Sequence, residues 1–549
     1  MSGKFDKPDA IVVGSGAGGG TAARVLTERG WKVTVMEKGR RHEPEEFLPY
    51  DEVHFGVHRA LVPSVKSDPQ IYVKADGSTV PVERWWAPNM VGGATMLWEA
   101  NLPRYTEHDF NVLKYLKDVP QDASMVDWPW TYDEWQPYFE RAEHEWGVSG
   151  RAGQAPMQER TRPGYDYPMP PLRPHASTPF LMEAFGQAGM QPYLSPRGIN
   201  SRTFDGRPGC PFCGYCQNFG CAVNDRASST NTVLARALAT GLCDLRTGHC
   251  VTRLDFRRGK VRGVFYKTEP DGPEHHMQAD RVFVSVTAIE SARLFLNSEI
   301  PDPNDMVGHY LTYHVKGSAE MTFPKQPVWD AGPELRYQPR TSLGSLQLRD
   351  LYLIDDPQNT YVTKGGKFSI YDPFTIKPPI KMVADTGLWG KALQDRLLEL
   401  RTQGGVSFSF TGETLSMHGN RVELDRVKKD PWGVPVARLH YQHHAYDLEL
   451  SRYSLDRVVR VMADAGGELR GKLGVATAEN PGYGHNHGTL RAGTDPGASV
   501  LDADCQSHTV NGLYVLDCAW MPTAGASNPT LTQIANAYRV CEKVPRAAA

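Results

Sequence analysis

A glycine-rich turn near the start of the chain constrains the fold more than any other feature of the sequence. It joins an apolar run, residues 11–13, to a helix-like segment that ends near Arg29, and a strand-like run follows from Lys32. This order predicts strand, tight turn, helix and strand. In such a turn the first glycine allows a sharp bend, the second lets backbone approach a pyrophosphate, and the third lets helix and strand pack closely. The three glycines are Gly14, Gly16 and Gly19.

Glu37, which ends the second predicted strand, narrows the choice of ligand. A carboxylate at this position accepts hydrogen bonds from a ribose 2′-hydroxyl and repels a 2′-phosphate. The N-terminus of the preceding helix offers free backbone N–H groups to phosphates. The segment therefore predicts a dinucleotide site for FAD or NAD, and a purely structural turn is the alternative.

The size and charge of the chain limit its class. Its 549 residues exceed what one hydrophobic core usually serves, so we expect at least two domains. The formal net charge of −3 favours neither nucleic acid nor an anionic membrane as a partner. No apolar run approaches the ~20 residues that span a bilayer, and the first residues lack the apolar region of a secretory signal. We therefore expect a cytoplasmic protein without membrane insertion.

The character of the sequence changes near residue 311. From Leu311 to Tyr441, short strand-like segments are separated by Gly and Pro turns, which predicts an antiparallel sheet. A long helix from Ala445 to Ala465 is expected to lead back to the first domain, which a strand from Gly512 to Asp517 completes. We predict an α/β fold with a Rossmann-like dinucleotide-binding domain over 1–310 and 446–549, and a substrate domain over 311–445.

Three further motifs contain residues that could bind a ligand or react. His485 begins the run His-Asn-His-Gly-Thr, and Asn528 begins Asn-Pro-Thr-Leu-Thr before the last predicted helix. Taken alone, these two residues could simply cap a turn and a helix. The glycine pair Gly92–Gly93, upstream of Asn101, indicates either backbone pressed against a flat ligand or a buried turn.

Taken together, these motifs resemble those of the glucose/methanol/choline (GMC) flavoprotein oxidoreductases. They lie at the beginning, middle and end of the chain, and the resemblance makes the dinucleotide FAD. It implies that His485 takes the hydroxyl proton of an alcohol while a hydride leaves the carbon for flavin N5. A neutral imidazole, with an unperturbed pKa near ~6.5, can act as such a base. It also implies that Asn528 holds the substrate oxygen. His487 is a second candidate base, which the spacing of the motif disfavours.

The resemblance also implies which residues hold FAD. Asp517 matches the family residue near the ribityl chain, and an ordinary strand-end acid is the alternative. The loop over 91–98 most resembles that of pyranose oxidase, in which a histidine beside the tryptophan tethers FAD covalently. Leu97 stands at that position here, so we expect non-covalent FAD. The expected cofactor-binding residues are Gly14, Gly16, Gly19, Glu37, Gly92, Gly93, Asn101, Asp517 and Pro529.

A cysteine-rich loop is a candidate metal site. It lacks the long spacer between two cysteine pairs that is usual for structural zinc, and its first three spacings are more typical of an iron–sulfur run. A similar loop occurs in GMC dehydrogenase subunits related to bacterial glucose and gluconate dehydrogenases, although the spacing differs from their cluster-binding pattern. An iron–sulfur cluster is therefore one hypothesis, with zinc, reduced thiols or a local disulfide as alternatives. The four cysteines are Cys210, Cys213, Cys216 and Cys221.

The sequence thus predicts an FAD-dependent oxidoreductase that oxidises a hydroxyl of a sugar or glycoside to a carbonyl. The sugar assignment follows from the resemblance to sugar dehydrogenases and from a polar, aromatic-rich sequence. The electron acceptor stays open: O₂ would make the protein an oxidase, and a dye, quinone or cytochrome would make it a dehydrogenase. A catalytic subunit of an electron-transfer complex and a flavin-dependent lyase are further alternatives.

Overall fold

The computed structural model describes most of the chain and contains both expected kinds of sheet. The described residues are 4–47, 61–82, 87–117, 119–154, 160–175, 177–213, 216, 219–323, 346–354, 364–371, 386–402, 404–479 and 484–546. The strands are β1 (Ala10–Val13), β2 (Val33–Glu37), β3 (Gln70–Val73), β4 (Thr79–Val82), β5 (Tyr193–Leu194), β6 (Cys243–Thr247), β7 (Cys250–Arg257), β8 (Lys260–Lys267), β9 (His275–Gln278), β10 (Val282–Val284), β11 (Val315–Phe323), β12 (Leu346–Leu348), β13 (Gly366–Tyr371), β14 (Gly404–Gly412), β15 (Arg421–Lys429), β16 (Pro435–His440), β17 (Glu468–Leu469), β18 (Gly474–Val475) and β19 (Leu513–Val515). The α-helices are α1 (Ala17–Glu28), α2 (Glu107–Phe110), α3 (Tyr132–Trp146), α4 (Thr178–Gln187), α5 (Val233–Ala239), α6 (Ala288–Asn297), α7 (Gly390–Thr402), α8 (Ala445–Asp464) and α9 (Thr530–Lys543).

The glycine-rich turn lies within a five-stranded parallel sheet. Its strand order is β19-β10-β1-β2-β6, and every neighbouring pair is parallel. All residues of β1, β2, β10 and β19 are buried, as expected for a parallel sheet that is covered on both faces. The predicted strand, turn, helix and strand are β1, the turn, α1 and β2. The α/β fold with a Rossmann-like part is therefore confirmed.

A second, largely antiparallel sheet supplies the other wall of the molecule. Its strand order is β17-β11-β14-β13-β12-β5, with β18 also paired to β11. Because successive side chains of a strand point to opposite faces, one face is apolar and the other polar. The apolar face carries Met321, Phe368 and Phe408, and it packs against Leu455 and Val458 of α8. The antiparallel sheet expected from Leu311 onward is thus present.

The helix expected from Ala445 to Ala465 is α8, which ends at Asp464. Its buried side chains contact the antiparallel sheet rather than the parallel one, because its apolar residues face β11 and β14. Two smaller sheets complete the described fold, with strand orders β15-β16-β3-β4 and β7-β8-β9. In the described part of the chain no helix has the length and apolarity to cross a membrane. The cytoplasmic location and the domain limits at 310 and 445 stay predictions.

Candidate active site

A cavity of about 750 Å³ lies between the two main sheets. The turn after β1 and the ends of β2 and β10 line one part of it, and the polar face of the antiparallel sheet lines another. His485 and Asn528 also line it. Ligands of open parallel sheets bind beyond the carboxyl ends of the strands. The cavity therefore lies where a dinucleotide and a substrate could meet.

The glycines of the turn show which contacts are internal and which are left to a ligand. Gly14 has a φ of +92°, and an added Cβ there would lie 2.3 Å from the carbonyl oxygen of Ser285. A Cβ on Gly19 would lie 2.0 Å from the carbonyl oxygen of Gly14. Around Gly16 the nearest atom would be 3.9 Å away, and this residue lines the cavity. The protein itself does not require a glycine at Gly16, which fits close approach of a pyrophosphate.

Glu37 holds the turn from the end of β2. Its Oε2 accepts hydrogen bonds from Ser15 N at 3.1 Å and Ser15 Oγ at 2.6 Å, and its Oε1 accepts one from Gly39 N at 2.8 Å. Burial raises the pKa of this carboxyl, and these three donors oppose the shift. Glu37 also lines the cavity, at the position from which a carboxylate reaches a ribose hydroxyl.

The glycine pair Gly92–Gly93 packs directly against this turn. Gly92 has a φ of +92° and donates its N–H to Ser15 Oγ at 3.0 Å. Gly93 has a φ of +53°, and an added Cβ there would lie 3.4 Å from Gly16 Cα. Gly93 lines the cavity, whereas a Cβ on Gly92 would press on Met96. The pair therefore closes one side of the space beside Gly16.

Asp517 and Pro529 approach the cavity from the C-terminal part of the chain. The Asp517 carboxylate accepts hydrogen bonds from Val286 N at 2.9 Å, Ser291 Oγ at 2.5 Å and Ala519 N at 2.9 Å. Burial raises the pKa of this carboxyl to about 6. These bonds tie the end of β19 to the start of α6, while Pro529 precedes α9. Both residues line the cavity, and their contact with FAD stays a prediction.

The hydrogen bonds of His485 fix its tautomer. His314 Nε2 lies 3.1 Å from the carbonyl oxygen of Ala524 and must donate to it, so Nδ1 of a neutral His314 ring is an acceptor. His485 Nδ1 lies 2.9 Å from that atom and therefore carries its proton. Burial lowers the pKa of both imidazoles well below the usual value, which keeps them neutral. His485 Nε2 is therefore an acceptor, and it lies 3.3 Å from the side-chain nitrogen of Asn528.

The amide of Asn528 is oriented by donors on its far side. Its Oδ1 accepts from Asn101 Nδ2 at 2.9 Å and from Lys367 Nζ at 2.5 Å. Its Nδ2 consequently faces His485 Nε2, at 3.3 Å. Asn101 is held in turn, since its Oδ1 accepts from Gln347 Nε2 at 2.9 Å. Asn101, expected at the cofactor, thus contacts the predicted catalytic pair directly.

His487, the second candidate base, lies elsewhere. Its backbone pairs with that of Thr312, with N–H···O distances of 3.0 and 3.1 Å. It is fully buried, and among the described residues neither of its ring nitrogens has a hydrogen-bond partner. Burial lowers its pKa to about 3. The residues that line the cavity include His485 but not His487, so His485 remains the candidate base.

The cysteine loop does not fit a metal cluster in this structure. All four cysteines are described, yet no group of three or more His, Cys, Asp or Glu within the described ranges is placed to hold a metal ion. Cys221 Sγ donates to Asp225 Oδ1 at 3.3 Å, so it carries a proton that a cluster ligand would have lost.

Three side chains at the cavity were not identified from the sequence: His314, Lys316 and Lys367. A signal for them exists, because His314, Lys316 and Ser318 alternate with apolar or small residues, and Lys367 and Ser369 do likewise. Alternation of this kind marks a strand with one polar face. The sequence alone does not say that the two runs share a sheet, nor that their polar faces meet His485.

Comparison with known proteins agrees with this geometry. Family models described as GMC oxidoreductase match residues 123–316 and 417–537. The chain is 30% identical to 6'''-hydroxyparomomycin C oxidase of Streptomyces lividus, over 98% of this chain and 91% of that protein. It is 29% identical to 2-methyl-1,2-propanediol dehydrogenase of Mycolicibacterium austroafricanum, over 100% of this chain and 96% of that protein. The crystal structure of pyridoxine 4-oxidase from Mesorbium loti matches with a TM-score of 0.62 at 18% identity, covering 97% of this chain and 98% of that one. The chain belongs to the GMC oxidoreductase family.

Proposed function

We propose that this enzyme oxidises a hydroxyl group of a sugar or glycoside to a carbonyl, with His485 as the base. As a GMC oxidoreductase it is an FAD-dependent enzyme that acts on CH–OH groups. The relatives described above are named for oxidation of a diol and of 6'''-hydroxyparomomycin C, which supports an alcohol substrate. The sugar class, the roles of single residues and the electron acceptor are proposals.

The polar face of the antiparallel sheet is the observation that carries the sugar proposal. Ser318 of β11, Ser409 of β14 and Ser369 of β13 stand opposite one another in the register, and all three line the cavity. Thr411 lies in the next row of the same face and also lines the cavity. Hydroxyl groups both donate and accept hydrogen bonds. A wall of this kind suits a ligand that carries several hydroxyl groups of its own.

His485 supplies the proton acceptor. The tautomer set by His314 leaves His485 Nε2 unprotonated. A substrate hydroxyl that contacts both nitrogens would donate to His485 Nε2 and accept a hydrogen bond from Asn528 Nδ2. FAD, when bound, supplies the two-electron acceptor for the hydride that leaves the hydroxyl-bearing carbon. Proton and hydride together account for the oxidation of the alcohol to a carbonyl.

Asn528 positions the substrate oxygen in this proposal. Because its Oδ1 is occupied by two donors, the amide cannot turn to present an acceptor to the substrate without losing both bonds. The Nδ2 donor is therefore preorganised for an oxygen atom at the base. The donor also binds the carbonyl oxygen of the product.

We propose non-covalent FAD. Leu97, at the position where pyranose oxidase carries its tethering histidine, is buried in an apolar cluster with Phe47, Met90 and Met96. An aliphatic side chain offers no atom for a covalent bond. An acid-precipitated sample should therefore release its yellow colour into the supernatant, and colour retained in the protein pellet would contradict this.

An anaerobic flavin absorbance titration tests the proposal. The holoenzyme is titrated with a panel of monosaccharides and glycosides, and air is then admitted. Bleaching by a sugar is the expected result, and the absence of bleaching with every sugar would refute the sugar proposal. Fast recolouring in air would indicate an oxidase. Slow recolouring that a dye or quinone accelerates would indicate a dehydrogenase.

A further inference from the structure

Two lysines stand at the substrate side of the cavity, and the oxidation proposed above does not use their charge. Lys316 of β11 and Lys367 of β13 both lie opposite Thr411 of β14 in the antiparallel register. Residues paired in this way point to the same face of a sheet. Lys316 and Thr411 line the cavity, and Lys367 reaches Asn528 at its wall. Lys316 therefore faces the space beside the predicted catalytic pair, whereas Lys367 is buried behind Asn528.

Each amine has more donors than the protein uses. An ammonium group has three N–H donors. Lys316 Nζ donates to Thr411 Oγ1 at 2.9 Å, and Lys367 Nζ donates to Asn528 Oδ1 at 2.5 Å. Neither amine forms an ion pair with any carboxylate of the residues that the structure describes. Lys316 lines the cavity, so two donors of its amine are left for a ligand there.

Among the described residues, the carboxylate of Glu99 interacts electrostatically with both lysines, and it already contacts two other side chains. Glu99 Oε2 lies 3.3 Å from Arg197 Nη1 and accepts a hydrogen bond from Tyr371 OH at 3.2 Å. Glu99 favours the charged forms of Lys316 and Lys367. Among the described residues, the two lysines thus have one shared carboxylate between them, which leaves a positive excess.

The excess has a cost in the free protein. Burial lowers the pKa of Lys316 to about 8 and that of Lys367 well below its usual value. Enclosing a basic group without a counter-ion is unfavourable, and an anion bound at the Lys316 amine would reduce that penalty. The four flanking hydroxyl groups described above add no charge of their own.

We propose that the substrate carries a carboxylate group and that Lys316 binds it, with Lys367 adding positive charge from behind Asn528. This inference rests on the proposed function, because it names the substrate class of the same site. Lys316 lines the same cavity as His485 and Asn528, so the carboxylate lies in the same cavity as the carbon that is oxidised. The serines of the polar face bind the remaining hydroxyl groups. The substrate class is accordingly a polyhydroxylated acid of the aldonate or uronate type.

Two charge series test the proposal on the holoenzyme. The open-chain series is gluconate, sorbitol and glucamine, and the ring series is glucuronate, glucose and glucosamine. Within each series the carbon skeleton is kept while the charge changes from negative to neutral to positive. Binding is read as a change in flavin absorbance under anaerobic conditions, and oxidation is read separately as flavin bleaching. In at least one series the acid should bind about tenfold or more tightly than its neutral analogue, and the amine should bind least.

The variant Lys316→Met should reduce the preference for the acid over the neutral analogue by about tenfold. Lys391→Met, at an exposed lysine of α7, should leave the preference unchanged, and flavin content verifies that both variants are folded. Acids that bind no tighter than their neutral analogues in both series would overturn the carboxylate site. If neutral sugars bleach the flavin and no charge preference is found, the proposed sugar oxidation is supported and the carboxylate site is refuted. Tight binding of the acids without any bleaching would instead leave the carboxylate site and refute the sugar oxidation.

Discussion

A buried ion cluster next to Gly525 leads to a quantitative prediction for the thermal stability of the protein. Lys364 Nζ lies 2.9 Å from Asp109 Oδ1 and 2.6 Å from Glu413 Oε2, and all three side chains are buried. Glu413 also accepts a hydrogen bond from Gly525 N at 3.1 Å. The cluster thus supports the segment that leads to Asn528. Replacing Lys364 by methionine keeps the length of the side chain but leaves two buried carboxyl groups without a cation.

The expected loss of stability follows from this geometry. Removing one partner of a buried ion pair costs about 3–5 kcal/mol, because the remaining charge is uncompensated. At about 2.1 cal/mol/K per residue, the 549 residues carry an unfolding entropy near 1.2 kcal/mol/K, so Tm should fall by about 3 to 4 °C. Lys391→Met is the matched control, since Lys391 pairs with Asp395 on the exposed surface of α7 and such pairs add little.

The pH dependence of the loss separates lost charge pairing from lost packing. Burial raises the pKa values of carboxyl groups. At Asp109 it is outweighed by Lys364 together with the hydrogen bonds from Tyr352 and Thr106, so the pKa is lowered. At Glu413 Lys364 only opposes it, and the pKa is raised. Without Lys364 both pKa values rise in the folded state. When the pKa of a carboxyl group is higher in the folded than in the unfolded state, the free energy of unfolding falls as the pH rises above the unfolded-state pKa of ~4. The deficit of Lys364→Met should therefore be larger at pH 8 than at pH 5.

Thermal unfolding of the two holoenzymes, followed by the fluorescence of released flavin at both pH values, measures this difference. A deficit that is independent of pH would show that packing dominates. A Tm equal to that of Lys391→Met would refute the reasoning altogether.

Four further predictions concern the site. His485→Ala should keep FAD and lower kcat by ~10²–10⁴-fold, and a larger loss in His487→Ala would reassign the base. Because burial lowers the pKa of His485, kcat/KM should not fall on the acid side until well below pH 6.5, and a fall centred at 6.5 would contradict this. His314→Leu should lower kcat more than His314→Gln, whose amide oxygen can still accept the His485 proton, and equal losses would refute the role of the tautomer. Gly16→Val should abolish FAD binding without loss of fold, whereas Gly186→Ala, also at an unobstructed glycine, should retain FAD by absorbance at equal protein concentration.

The dinucleotide-binding part could be predicted because its determinants are contiguous. Gly14, Gly16 and Gly19 lie within one turn, and Glu37 follows at the end of the next strand. The contact that requires glycine at Gly19 comes from Gly14 itself, and Gly14 has a φ of +92°, although the carbonyl oxygen beside it belongs to the distant Ser285. Local spacing therefore contains most of the information, and the parallel sheet around it agrees with the prediction.

The surroundings of His485 could not be predicted in the same way. His314, which sets its tautomer, is separated from it by 171 positions. Lys316 and Lys367 lie on the same face of one sheet only because β14 pairs with both β11 and β13. Neither segment alone specifies that pairing. Alternation of polar and apolar residues reveals a two-faced strand, but not the partner on either side. The motif identified the candidate base without the groups that tune it.

The order of strands in the parallel sheet has a consequence for biosynthesis. β2 ends at Glu37, whereas β19, which pairs with β10 in the same sheet, begins only at Leu513 and is translated much later. Asp517, Asn528 and Pro529 follow β19 in the chain. Until then the nascent polypeptide lacks one strand of the sheet and one wall of the cavity, and pairing over such sequence distances is slow. We therefore expect flavin to be captured only after the segment through Pro529 has been translated, and the exposed edge of β10 to need protection from aggregation during that interval.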